Sequence, residues 1–376
     1  MSGKGEFGTA QRRWAGLGPY YAMFPLSFAE AVIKDYTAPG DCVLDPFAGR
    51  GTSIFAAGIQ GRSGLGIEIN PVGWIYAKTK LGPAKGELVL ARLEELADSA
   101  AGEADHSHLP AFFRWCFSKQ VLSFLLNCRA TLDWRRNRTD RTLMALVLQD
   151  LHGNRGRALS NQMRQAKSLA PDYSVRWWRE RGMRPPRLEV KEHLAAKIRW
   201  RYRHGLHQMH GCNVWLGDSS VRLSEARKLK TKPSLLFTSP PYIGVADYHY
   251  DQWLRLWMLD GDAQPMHPRD ETCRGDFANP QHYRSMLLSV FARAADALAS
   301  QATVYVRTDA REATLTATKE VLRDVFGNVK VRQAAKPFFG KTQTLLFGDL
   351  APKPGEVDLI IKTRRLWCAS RAVQHA

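Results

Sequence analysis

The chain has 376 residues, 44% of them hydrophobic, enough for about two folded domains with a real core. Its formal charge of +18, from 54 Lys and Arg against 36 Asp and Glu, is unusual for a small-molecule enzyme and points to an anionic polymer, nucleic acid first. A membrane is a poor second reading, because no apolar run approaches the roughly 20 residues of a spanning helix, and MSGKGEFGTAQRRW lacks the apolar segment of a signal peptide, so a cytoplasmic location is expected.

Taken in chain order, residues 26 to 36, LSFAEAVIKDY, have helical spacing and end at the turn TAPGD. CVLDPFAGRGTS reads as a short buried strand entering a glycine turn, SIFAAGIQG as the helix after it and SGLGIEIN as a second strand. From residue 85 to about 210 apolar helical stretches such as FFRWCFSKQVLSFLL and TLMALVLQDL alternate with arginine-rich ones, and residues 151 to 192 look the most loop-like. NVWLGDSS, PSLLFTSPPY and QATVYVRTD each read as an apolar strand ending in small or polar residues. FFGKTQTLLFGDL and EVDLIIKTR read as two further strands joined through APKPGE, as at the antiparallel edge of a mixed sheet. The six cysteines show no CxxC pair and no His at finger spacing, so neither a metal site nor a disulfide framework is expected.

The glycine turn is the first candidate site. Gly49 and Gly51 stand just past a strand end, where a parallel sheet places its ligand and where missing side chains let backbone N–H groups approach it. No GK[ST] follows, so this is not a phosphate loop, and the third glycine of a dinucleotide fingerprint is missing. Glu68 ends the next strand, where such folds place an acid on the ribose hydroxyls of a nucleoside; a solvated glutamate at a helix start is the plainer alternative. Asp218 ends the third strand, suited to accept from an adenine amino group, and Asp45 beside the glycines suits a cationic ligand. The set describes a nucleoside-bearing ligand without pyrophosphate.

Together, DPFAGRGTS and TSPPY resemble the two signature motifs of the amino-group DNA methyltransferases, which methylate cytosine N4 or adenine N6 from S-adenosylmethionine. The resemblance covers residues 18 to 81 and 212 to 350. It implies an α/β fold with a Rossmann-like, mixed seven-stranded methyltransferase sheet carrying helices on both faces, plus a largely helical basic insertion. Residues 1–84 and 211–376 would form the catalytic domain and residues 85–210 the insertion. Phe24 and Pro25 then match the motif beside the cofactor's methionine end, Asp45, Phe47, Gly49, Gly51 and Thr52 the cofactor loop, Glu68 the ribose ligand, Asp218 the adenine contact, and Thr238 the cofactor side of the second motif. Ser239, Pro240, Pro241 and Tyr242 carry catalysis. An exocyclic amine conjugated to its ring is a poor nucleophile, so acceptors must hold its N–H groups and turn its lone pair toward the methyl donor. Ser239 Oγ and the Pro240 carbonyl serve as these acceptors, the prolines fix them in place, and Tyr242 stacks on a base that has left the duplex.

Serine before PPY tilts the reading toward cytosine N4, since adenine enzymes commonly carry Asp or Asn there. Methylation at C5 is disfavoured, because that reaction needs a cysteine nucleophile, typically after proline, and the chain has no Pro-Cys. Of the stretch that follows, Trp253, Leu256 and Trp257 read as the core face of a helix, and Tyr248 and Asp251 as pocket residues. The expected partner is double-stranded DNA in a prokaryotic or phage cell, near the nucleoid. A cognate restriction endonuclease is a partner to look for, and no oligomeric state is set.

Between Arg129 and His207 nineteen Arg and Lys face seven Asp and Glu, an excess of twelve out of the chain's eighteen. Interleaved with Trp and Tyr, this charge suits phosphate neutralisation and stacking on bases, with Arg176, Trp177, Trp178, Arg179, Arg199, Arg201 and Arg203 as the expected DNA contacts. The placement departs from the family pattern, in which the recognition region adjoins the catalytic motif; the excursion here falls between the second and third strands. Residues 260 to 282 form a second candidate loop. Adenine N6 and RNA-base methylation, a binding-only protein that has lost turnover and, more weakly, an oxidoreductase stay open as alternatives.

Overall fold

The computed structural model describes residues 8–20, 25–99, 106–207, 209, 211–243, 248–265, 279–327, 332–336 and 355–363. At its centre is a seven-stranded sheet built from β1 (Cys42–Asp45), β2 (Ser63–Glu68), β3 (Cys212–Leu216), β4 (Leu235–Thr238), β5 (Ala302–Asp309), β6 (Arg332–Lys336) and β7 (Glu356–Thr363), in the order β3-β2-β1-β4-β5-β7-β6. The first five strands run parallel, and β7 enters antiparallel between β5 and β6. This is the expected mixed α/β sheet. Among the described residues the outer strand of the antiparallel edge is Arg332–Lys336, which was not expected as a strand; FFGKTQTLLFGDL lies outside the described residues.

Period-two alternation divides the sheet residues between two cores. Val43, Leu235 and Tyr305 point to one face, where α2 (Leu26–Tyr36) and α3 (Thr52–Ile59) cover them with Ala29, Val32, Ile33 and Ile54. Leu44, Leu236, Val304 and Val306 point to the other. There α11 (Ser219–Ala226), α14 (Pro280–Ala297) and α15 (Glu312–Phe326) cover them with Leu223, Leu287, Phe291 and Leu322. The strands read as unbroken apolar runs because both faces are buried.

Between β2 and β3 the chain forms α4 (Pro71–Leu81), α5 (Gly86–Ser99), α6 (Ala111–Cys116), α7 (Lys119–Thr131), α8 (Arg138–Asp150), α9 (Pro171–Glu180) and α10 (Val190–Tyr202). Their starts are encoded locally. Asn70, Ser118 and Asn137 cap α4, α7 and α8 through their side chains, and Pro71 and Pro171 sit at first helical positions, where a missing N–H costs nothing. Residues 171–180, expected as loop, are therefore helical. These helices share a third core with α1 (Ala10–Ala15), α12 (Tyr248–Asp251) and α13 (Trp253–Met258) packed nearby. Trp253, Leu256 and Trp257 are buried in it as expected, with Trp257 4.5 Å and Trp253 6.2 Å from Phe113, ring centre to ring centre.

Candidate functional site

The strand order reverses direction between β1 and β4, with β2 and β3 on one side and β5 on the other. Parallel sheets bind ligands at the carboxyl ends of the strands at such a switch point. Leu44 pairs with Leu236 there, so the glycine turn leaving β1 and the SPPY turn leaving β4 lie side by side. Residues almost two hundred positions apart in sequence thus end on one rim.

Asp45 joins the two turns. Its carboxylate, 2% exposed, accepts from the Thr238 hydroxyl at 2.6 Å, from the Phe47 N–H at 3.0 Å and from the Ser53 hydroxyl. Burial pushes its pKa up to about 6, against the pull of these three donors. Thr238 is itself fully buried and immediately precedes Ser239, so the carboxylate fixes the base of the SPPY turn. Ser239 Oγ lies 3.3 Å from the Tyr242 hydroxyl, and Pro241 and Tyr242 are half-buried beside it while Pro240 is buried.

The glycine turn is held from the next strand. Glu68 accepts from the Gly49 N–H at 2.6 Å and from the Asn70 N–H at 2.8 Å. Burial raises its pKa to about 7, opposed by those two N–H groups, with the nearby charge of Asp45 adding to the rise. At 8% exposure it is not a solvated glutamate. Gly49 and Gly51 have φ of 52° and 76°, the left-handed region where a side chain is strained, and a Cβ on Gly51 would meet the Ala77 Cβ at 2.7 Å. Thr52 starts α3 behind the turn and is buried; Phe47 is half-buried against Phe291. Asp218 caps α11 by accepting from the Ser220 N–H at 2.7 Å, and the adjoining Ser219 hydroxyl donates to the Pro46 carbonyl, tying the end of β3 to the loop after β1. Pro25, at the start of α2, is exposed; Phe24 lies outside the described residues.

The rim fits a nucleoside-bearing ligand. The turn carries no side chain at the half-buried Gly49, and the Glu68 carboxylate has accepting capacity beyond its two N–H partners. S-adenosylmethionine needs such a cradle and a carboxylate for its ribose, and its sulfonium supplies the methyl group. Among the described residues no group of three His, Cys, Asp or Glu could hold a metal ion, and no helix is long and apolar enough to cross a membrane.

Three supporting residues were not anticipated. Ser53 holds Asp45 from below. Gly73 leaves room for Glu68, since a Cβ there would come within 3.0 Å of both the Glu68 Cγ and the Gly49 carbonyl oxygen; a glycine inside a helical pattern is the signal that marks it. The buried ammonium of Lys80 donates to the Arg50 carbonyl at 2.8 Å, bracing the turn from behind, and burial lowers its pKa well below the usual lysine range. Nothing in the sequence distinguishes that lysine from a surface one.

The expected DNA contacts divide in two. Arg176, Arg179, Arg199 and Arg203 are exposed and Trp177 is half-buried. Trp178 and Arg201 are not surface residues. Trp178 is 1% exposed and donates its indole N–H to the Gln162 carbonyl at 2.8 Å. Arg201, 3% exposed, donates to the Arg13 carbonyl and to Gln149 Oε1, and so links α10 to α1 and α8. Both are taken up by the packing of the helical layer. Asp251 is likewise buried, paired with Lys167, and Tyr248 opens α12. Most of the 260–282 loop lies outside the described residues.

Comparison with known proteins bears on the glycine-turn end of this rim. The family model described as DNA methylase, for N6- and N4-acting enzymes, matches residues 4–73. The chain is 43% identical over 49 residues to the type II methyltransferase M.MthZI of Methanothermobacter thermautotrophicus, covering 13% of this chain and 14% of that one. It is 43% identical over 54 residues to M.Cfr9I of Citrobacter freundii, 14% and 18% of the two chains, and 33% identical over 66 residues to M.MjaII of Methanocaldococcus jannaschii, 18% and 12%. The matches thus span 12% to 18% of these relatives' lengths. A solved rRNA methyltransferase, aviRa from Streptomyces viridochromogenes, aligns over 93% of this chain and 90% of its own at 12% identity, but its TM-score of 0.35 carries no argument. The likeness to the DNA methylases thus lies in residues 4–73, the segment that builds the glycine turn.

Proposed function

We propose that the protein transfers a methyl group from S-adenosylmethionine to the exocyclic amino group of a base flipped out of double-stranded DNA, and that the base is cytosine and the atom N4. The observation that carries the proposal is the Asp45 carboxylate bonded to both the glycine turn, through Phe47 N–H and Ser53, and the SPPY turn, through Thr238. A cofactor cradle and a set of amine acceptors are held as one rigid piece by that one side chain.

On this reading Glu68 accepts from the ribose hydroxyls and Asp218 from the adenine amino group, which orients the donor along the rim. Ser239 Oγ and the Pro240 carbonyl accept the two N–H bonds of the target amine. Withdrawing those hydrogens from the ring plane frees the nitrogen lone pair for in-line attack; the new N–C bond would form as the donor's S–CH3 bond breaks, the electron pair staying on sulfur as a thioether, and the amine proton would pass to water. Tyr242 stacks on the extruded base and holds its plane. The catalytic unit would comprise residues 1–84 and 211–376, with the exposed arginines of residues 85–210 facing the phosphates.

Single-turnover transfer by Ser239→Ala tests the assignment. Losing one preorganised acceptor should slow the chemical step by on the order of 100-fold, with cofactor and DNA binding unchanged. A variant that transfers at the wild-type rate would remove Ser239 from the mechanism.

A further inference from the structure

The proposed chemistry leaves one built feature of the helical layer unused. A cleft of about 820 Å³ opens between the 151–170 loop, α9 and α10, lined among others by Arg157, Arg164, Gln165, Tyr173, Trp177 and Lys197. That volume is in the range of sites for small organic ligands. Arg157, Arg164 and Lys197 stand there beside one carboxylate, the buried Asp150, which lies 3.7 Å from Lys197. Its aromatic wall is open at Tyr173 and half-buried at Trp177. Tyr173 is 47% exposed, with the Arg176 guanidinium 5.9 Å from its ring, and Trp177 carries the Arg181 guanidinium at 4.5 Å. Cations that neutralise a phosphodiester, beside rings that offer a stacking face and an amide that can read a base edge, are what a nucleotide requires.

The wall of the cleft is also fastened to α12 and α13. Arg255 donates to the Gln165 carbonyl at 2.6 Å, Gln252 to Ala166 at 2.9 Å and Trp253 to Leu169 at 3.2 Å, while the Ser168 N–H donates to the Asp251 carbonyl at 2.8 Å. Four bonds therefore join the 165–169 segment to the helical stretch that follows the SPPY turn.

We propose that this cleft is a nucleotide subsite for the DNA substrate: a backbone phosphate sits among Arg157, Arg164 and Lys197, and its base stacks on Tyr173 and Trp177. The fastened wall then sets the register of the strand relative to the SPPY turn. This rests on the reading of the protein as a DNA methyltransferase, and the test separates the two.

Binding of a fluorescent short duplex, without cofactor and over a range of salt, is measured for the wild type, Tyr173→Ala, Tyr173→Phe, the double variant Arg157→Ala/Arg164→Ala, and Arg323→Ala on the distant α15. Tyr173→Ala should weaken binding roughly tenfold, with Tyr173→Phe restoring it. The double variant should lower the slope of log affinity against log salt by about 1, the share of one phosphate, and Arg323→Ala should leave it unchanged. Cleft variants that bind like Arg323→Ala would overturn the proposal, as would tighter cleft-dependent binding of an RNA of the same sequence. Cleft-dependent DNA binding without any methyl transfer would support the subsite and sink the methylation reading; transfer with no cleft dependence would do the reverse.

Discussion

Glu68→Gln should remove a pH dependence of cofactor binding that rests on this one side chain. The carboxyl is 8% exposed, and burial raises its pKa from 4.5 to about 7 even though the Asn70 and Gly49 N–H groups favour the charged form. A carboxylate offers about four acceptor positions; two are used by those N–H groups, and two remain for a pair of ribose hydroxyls. A protonated carboxyl has fewer to give. With a pKa of about 7, the ionised fraction climbs from roughly a tenth at about pH 6 to roughly nine tenths at about pH 8, so the affinity for S-adenosylmethionine should rise about tenfold across that window. The sign for stability is opposite. A carboxyl whose pKa is raised by folding stabilises the native state fully below its unfolded value, and that contribution is lost as pH rises through the folded one. The cofactor-free protein should therefore lose stability between about 4.5 and about 7, and Glu68→Gln should flatten that loss. Isothermal titration and thermal unfolding across the range measure both effects. Wild-type affinity that does not change with pH, or a Gln variant with an unaltered pH slope, would refute the reasoning.

Gly51→Ala combines a positive φ of 76° with a Cβ 2.7 Å from that of Ala77, so it should cost roughly 2 kcal/mol or more in chemical denaturation and weaken cofactor binding; a neutral result would mean that the turn relaxes freely. Thr238→Val removes one of three donors to a buried carboxylate, at a cost of roughly 1 to 3 kcal/mol, and should raise the Asp45 pKa further above about 6; Thr238→Ser should restore both stability and turnover. Trp178→Ala should destabilise by roughly 3 to 5 kcal/mol through the cavity it leaves, whereas Arg176→Ala should leave stability unchanged and reduce the salt dependence of DNA binding; equal melting shifts for the two would contradict the assigned burial.

The parallel part of the sheet was legible because each strand is a short apolar run stopped by polar residues. CVLD, LLFT and ATVYVRTD keep that signature whatever packs on them. The outer strand RQAAK has no such run, since a strand at the sheet margin need not be apolar on both faces. Helix α9 was hidden by its arginines, although Pro171 at its first position was a usable start signal. Trp177 and Trp178 are adjacent in sequence, yet one is half-buried and the other 1% exposed. Helix geometry turns neighbours to different faces, and composition alone cannot say which face meets the core. Within the site, the motif residues announced themselves, but the bond from Thr238 to Asp45 spans 193 positions and only the fold could bring it about.

The central claim is tested most directly by incubating the protein with methyl-labelled S-adenosylmethionine and mixed-sequence DNA, digesting to nucleosides and identifying the labelled one by mass. The account predicts N4-methyl-deoxycytidine from the wild type and none from Ser239→Ala. Label on the adenine amino group would overturn the choice of base, and no label in DNA while the cofactor still binds would contradict the account itself.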